Sequence, residues 1–161
     1  MRRIIVITAL TLLFFCIEFV IFNVFTSAFK PNLLILLIVF FDLYLGIRYG
    51  LYTAILAGIL TDSFSTNVFG LNIVVFILCA YMTSILRKYI YFRGSRMSRL
   101  LLVFLIILID FTARLILHAI AGHYDIASAF TYALLPALFV TLLITTYTFQ
   151  QLRLCASKLF V

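Results

Sequence analysis

Tryptophan is missing from this chain of 161 residues, and charge is scarce: 11% of the residues are charged and only five are acidic. Water-soluble domains carry roughly a quarter charged residues and about half apolar ones; here the apolar share is 66%. That shortage excludes a protein with much soluble mass and leaves an integral membrane protein. Cysteine offers little chemistry. Cys16, Cys79 and Cys155 are an odd, scattered set in or beside apolar runs, with neither a disulfide framework nor a metal spacing, so each reads as a small buried hydrophobe. The two histidines, His118 and His123, lack His-x-x-Glu-His or Cys-x-x-Cys company. A phosphate-cradling loop is also missing, because Gly46-x-Arg48-x-Gly50 follows a helix and has no Lys-Ser/Thr ending. The residues therefore point to no enzyme, no metal and no cofactor. Alternation of apolar and polar residues is absent from the unbroken runs 33–41 and 100–109, which excludes a transmembrane β-barrel.

What the chain does have is a series of apolar runs, so the expected class is all-α. Its length leaves room for about six spans of roughly 20 residues, in one domain of six transmembrane helices at about 4–25, 31–45, 49–65, 71–86, 100–120 and 127–148. A cleaved signal peptide ending near Thr26-Ser27-Ala28 is the rival for the first span. Its apolar run far exceeds the usual ~7–15 residues of a signal core and contains Glu18, so an uncleaved span is favoured. Pro31 opens the second span, where a missing N–H is tolerated, and Pro136 lies inside the sixth, where it can kink the helix. Spans 2 and 3 are short: the run of about 15 residues in the second makes about 22 Å of helix against roughly 30 Å of hydrocarbon. Extension into the flanks, a thinned bilayer or a re-entrant hairpin over spans 2 and 3 would each answer this, and two true spans are favoured.

The net charge of +7 would suggest nucleic acid in a soluble protein. Here the basic residues sit at span ends and in short loops, above all in 87–99, and act as orientation signals. With the N-terminus cytoplasmic, ten Lys and Arg residues fall inside and only Lys30 outside. This is a positive-inside pattern with both termini in the cytoplasm. Tyr44, Tyr49, Tyr52, Tyr89 and Tyr91 fall at the same interface, as an aromatic belt would.

Four of the six glycines lie between Gly46 and Gly70. Gly50, Ala54, Gly58 and Asp62 follow at successive i+4 positions, a small-residue face that lets another helix approach closely. A partner helix or internal packing would use that face equally well. Five charges lie within apolar runs: Glu18, Asp42, Asp62, Asp110 and Arg114. Each costs on the order of 2.5–3.5 kcal/mol near mid-bilayer, so each is expected to face protein or water. Asp110 and Arg114 can pair at i, i+4 on one helix, and Asp62 stands at a similar depth to Arg114. Asp42 can reach toward Arg48 or water, and Glu18 has no evident partner.

The central stretch carries a resemblance. Pro31-Asn32-Leu33, the glycine turn at Gly46–Gly50, Gly58-Ile-Leu-Thr-Asp62, Ser63-Phe-Ser-Thr-Asn-Val-Phe69-Gly70-Leu71 and Ala80-Tyr81 resemble MreD, the rod shape-determining membrane protein family of bacteria. The match covers roughly 31–82, and the acid of Leu108-Ile109-Asp110 also looks like that family. The turn before the third span holds only Arg48, where family members often have more basic residues. The resemblance implies a non-enzymatic component of the cell-wall elongation machinery in the inner membrane, beside MreC. It also implies an indirect link between MreB filaments and the rod-complex glycosyltransferase and transpeptidase that build peptidoglycan. The family fold is similar to the S-components of energy-coupling factor transporters, which supplies the alternative of a small-molecule-binding subunit of a vitamin transporter. That reading needs an outward pocket lined by Ser63, Ser65, Thr66, Asn67, Asn72, His123, Tyr124 and Asp125. The residues expected to carry structure or interaction are Gly46, Arg48, Gly50, Ala54, Gly58, Asp62, Gly70, Asp110 and Arg114.

Overall fold

The computed structural model describes residues 2–24, 32–64, 69–90 and 96–120, together with 141, 143–145 and 147–149. Every ordered element among them is helical: α1 (Arg2–Val24), α2 (Leu33–Leu45), α3 (Ile47–Phe64), α4 (Leu71–Ile90) and α5 (Arg96–Ile120). The stretch 141–149 contributes further helical residues. Most of the expected sixth span, with Pro136, and the outer residues His123, Tyr124 and Asp125 lie outside the described residues, as do Lys30, Arg93, Arg153 and Lys158.

The helices alternate in direction. Thr8, early in α1, meets Tyr52, early in α3, with hydroxyls 3.1 Å apart. Arg87, late in α4, reaches the carbonyl of Asp42, late in α2, at 2.9 Å. Arg99, early in α5, reaches the Tyr44 hydroxyl at 3.4 Å. The starts of α1, α3 and α5 and the ends of α2 and α4 therefore share one end of the bundle.

At the centre stands α2. Its residues from Leu33 to Leu43 are buried without a break, and it packs against each of the other four helices. The stretch 141–149 closes another side: Thr141 Oγ1 accepts from the Asn32 amide, and the Phe149 ring packs edge-on against Phe40. By contrast α1, also largely apolar, carries many of its large side chains outward, with Ile5 67% and Val20 59% exposed. Exposed Val74 and Tyr81 on α4, and Leu101 and Ile116 on α5, extend that surface. Soluble proteins rarely show apolar patches beyond a few hundred Å², whereas lipid tails accept them.

Six spans were expected; among the described residues two helices, α1 and α4, are long and apolar enough on their own to cross a membrane. The 13 residues of α2 make only about 20 Å of helix. Because protein surrounds it, α2 need not match the bilayer thickness, and irregular backbone beyond its ends is tolerable where protein covers it. In α5 the charges Arg96 and Arg99 stand at the start, and Asp110 and Arg114 lie within its apolar run.

Two glycines make the sharp turns. Gly46, with φ of 100°, stops α2, and its N–H donates to the carbonyls of Asp42 and Phe41, a left-handed C-terminal cap that suits glycine. Gly70, before α4, shares the positive φ of 100°.

Candidate functional site

The polar groups of the bundle gather around the ends of its helices, where backbone groups have no intrahelical partner. At the start of α2, Asn32 makes no side-chain cap. Glu18 of α1 does that work instead: its Oε2 accepts from the Leu34 amide at 3.1 Å. An anionic group at a helix N-terminus also meets the positive end of the helix dipole. The freed Asn32 side chain donates to Asp110 Oδ2 on α5 at 3.2 Å. At the opposite end of α2, the Arg87 guanidinium donates to the Asp42 carbonyl and meets the negative end of the same dipole. The central helix is thus held by an acid from α1 at its start and a base from α4 at its finish.

Asp62 does for α4 what Glu18 does for α2, with more contacts. It is buried near the end of α3, and its carboxylate accepts from the amides of Gly70 at 3.0 Å, Asn72 at 3.1 Å and Ile73 at 3.2 Å. The Asn72 side-chain amide adds a fourth donor at 2.8 Å. One carboxylate therefore closes the α3–α4 turn and caps α4. The positive φ of Gly70 lets the chain turn back so that these amides converge.

Asn72 is the hub of the network. While its amide nitrogen donates to Asp62, its Oδ1 accepts from Arg114 Nη1 at 2.6 Å. Arg114 Nε shares its proton between both oxygens of Asp110 at 3.1 Å, and its guanidinium lies 5.6 Å from the centre of the Phe76 ring. The depth match between Asp62 and Arg114 is real, and Asn72 bridges the two. Through these bonds Glu18, Asn32, Asp62, Asn72, Asp110 and Arg114 tie all five helices together at one end. The i, i+4 pairing of Asp110 with Arg114 follows from sequence spacing. Glu18, Asn32, Asn72 and Arg87 were not singled out as a network, because two of them bond to backbone groups, which spacing rules do not reveal. The available signals were an acid opposite the Pro31-Asn32 helix start and an asparagine just beyond the Phe69-Gly70 turn.

The small-residue face of α3 is turned inward. Gly50, Ala54 and Gly58 are buried. A Cβ on Gly50 would lie 2.8 Å from the Asp42 Cβ, and one on Gly58 would lie 2.6 Å from the Ile73 Cα. The close approach these residues permit is used by α2 and α4 of the same chain, not offered to a partner. Arg48 is exposed at the start of α3. Asp42 departs from expectation: it is 0% exposed, and neither carboxylate oxygen has a hydrogen-bond partner among the described residues. It reaches neither Arg48 nor water. Its only hydrogen-bonded neighbour among the described cations, Arg87, is bound to its backbone carbonyl.

The carboxylates of Glu18, Asp62 and Asp110 accept from amides and one arginine, and among the described residues no nucleophile is paired with a base. Among the described residues no group of three His, Cys, Asp or Glu side chains comes together to hold a metal ion.

The fold and its polar network define an all-helical bundle of the membrane type, apolar on its outside and bound by charges at its helix ends. The family model for the rod shape-determining protein MreD matches residues 1–154, and the chain belongs to that family of membrane proteins. No curated protein and no solved structure matches it.

Proposed function

We propose that this chain is a non-enzymatic, multi-pass scaffold of the bacterial inner membrane that maintains rod shape. In this reading it stands beside MreC and joins MreB filaments, indirectly, to the glycosyltransferase and transpeptidase of the elongation complex. The observation that carries the reading is membership of the rod shape-determining family over residues 1–154. One structural feature supports it: Glu18 and Asp62 are committed to capping helices, and Asp110 and Arg114 to each other and to Asn32 and Asn72, a design for rigidity. The arrangement of charge supports the orientation. Arg3, Arg48 and Lys88 are exposed, and Arg87 and Arg99 lie beside them, at the end shared by the starts of α1, α3 and α5. Glu18, Asp62 and Asp110 lie toward the other end. By the positive-inside rule the basic end is cytoplasmic.

The testing experiment is affinity capture of the tagged full chain in mild detergent, read by mass spectrometry. Recovery of MreC and the elongation synthases is the expected result. Recovery of a transporter ATPase pair with its membrane coupling subunit would overturn the scaffold in favour of a substrate-binding subunit. Loss of rod shape on depletion is the expected phenotype.

A further inference from the structure

The two ends of the bundle differ in how their charges are used, and among the described residues one set of charges is turned outward. Toward the acidic end, Glu18, Asp62, Asp110 and Arg114 are consumed by the network. At the basic end Arg87 is bound to the α2 carbonyl and Arg99 to Tyr44. Arg3, Arg48 and Lys88 are exposed, on three different helices, α1, α3 and α4. The contacts of Thr8 with Tyr52 and of Arg87 with Asp42 bring those helix ends together. Asp42, the acid at this end among the described residues, is wholly buried, so the formal charges that the described residues expose there are all positive. Two large side chains flank them: Tyr89 is 79% and Met97 77% exposed, the amphipathic and flexible residues that settle at a headgroup boundary.

We propose that Arg3, Arg48 and Lys88, flanked by Tyr89 and Met97, form a binding surface for the headgroups of anionic phospholipids. The inference rests on the multi-pass reading above and adds a division of labour to it. Three exposed cations recruit lipid phosphate, while Arg87 and Arg99 serve the fold. A basic residue near an anionic membrane surface contributes about 1 kcal/mol, or about a fivefold preference per side chain. Lipid is the occupant that the surroundings favour, because the cations ring the end of a bundle whose flanks are already apolar. Their charge would then hold the basic end at a fixed height in the bilayer.

The test uses the full chain reconstituted in vesicles of phosphatidylglycerol mixed with phosphatidylcholine, then extracted in detergent. Co-purifying lipid is measured by mass spectrometry, and the thermal midpoint is measured with each lipid added back. Wild type is expected to retain phosphatidylglycerol preferentially and to gain several degrees from it, with inorganic phosphate giving no gain. Lys88→Gln is expected to lower the retention ratio about fivefold, and Arg3→Gln/Arg48→Gln/Lys88→Gln is expected to abolish it. Glu18→Gln, at the other end, is expected to lower the midpoint equally in both lipids and leave the ratio unchanged. An unchanged ratio in the triple variant, an equal gain from inorganic phosphate, or no preference in wild type would overturn the proposal. Release of the chain from membranes by alkaline carbonate would instead overturn the multi-pass reading beneath it.

Discussion

Asp62 and Asp42 are the same residue type on neighbouring helices, both buried, with opposite surroundings. Asp62 accepts four hydrogen bonds within the α3–α4 turn. Replacing it with alanine leaves those donors without their acceptor. Removing a helix cap alone costs about 0.5–2 kcal/mol, and each buried donor left unsatisfied adds about 1–3 kcal/mol. Asp62→Ala is therefore expected to lower the thermal midpoint in detergent far more than any exposed substitution, and Asp62→Asn less than Asp62→Ala. Asp42 shows the reverse. With no hydrogen-bond partner for either oxygen among the described residues, its carboxylate adds a burial cost and no hydrogen bond there. Asp42→Asn, nearly isosteric, is expected to leave the midpoint unchanged or raise it; a loss of several degrees would show that the carboxylate has a partner after all. Glu18→Gln tests the start of α2. It keeps an acceptor for the Leu34 amide but loses the charge facing the helix dipole, worth about 0.3–1 kcal/mol and up to ~2 when partly buried.

Hydropathy alone could not separate α1 from α2. Both are runs of Leu, Ile, Val and Phe, yet one faces outward and the other is the core, because lipid and protein interior are equally apolar solvents. Helical class, and turns where Gly46 and Gly70 stand, were legible from apolar runs and glycine positions. The bond from Asp110 to Arg114 was legible from i, i+4 spacing. The caps were not, since Glu18 and Arg87 bond to the main chain of a helix distant in sequence, and only the packed fold brings them there. The puzzle of a second span too short for a bilayer is answered at this scale: α2 is enclosed by other helices and bound at both ends, so the bilayer thickness does not set its length. The glycines of α3 make the enclosure possible. Gly58→Ala places a methyl 2.6 Å from backbone of α4, whereas the nearest obstacle at Gly50 is the Asp42 side chain at 2.8 Å. Overpacking of this kind costs about 1–3 kcal/mol. Gly58→Ala is therefore expected to be the worse of the two, by thermal unfolding in detergent, and smaller damage at 58 than at 50 would contradict the packing described.

For the whole molecule the consequence is stiffness. Ion pairing and capping at one end, and the hold of Arg87 on α2 at the other, join five helices that share an apolar core. Hydrogen exchange is expected to be slowest in the amides of 34–43 and faster along α1, which faces outward. Exchange of α2 as fast as that of α1 would show that the central helix is not enclosed. On the proposed scaffold reading the chain works by holding its shape, so every member of the network is expected to matter for function only through the amount of folded protein. The direct measurement is rod-shape complementation in cells depleted of the native copy, scored against membrane protein level. The set to compare is Glu18→Gln, Asp62→Asn, Asp110→Asn and Arg114→Gln. Cell shape is predicted to follow protein level along one curve for all four. A variant present at the wild-type level that still fails to restore the rod would show that the network does chemistry or recognition, and would contradict a purely structural role.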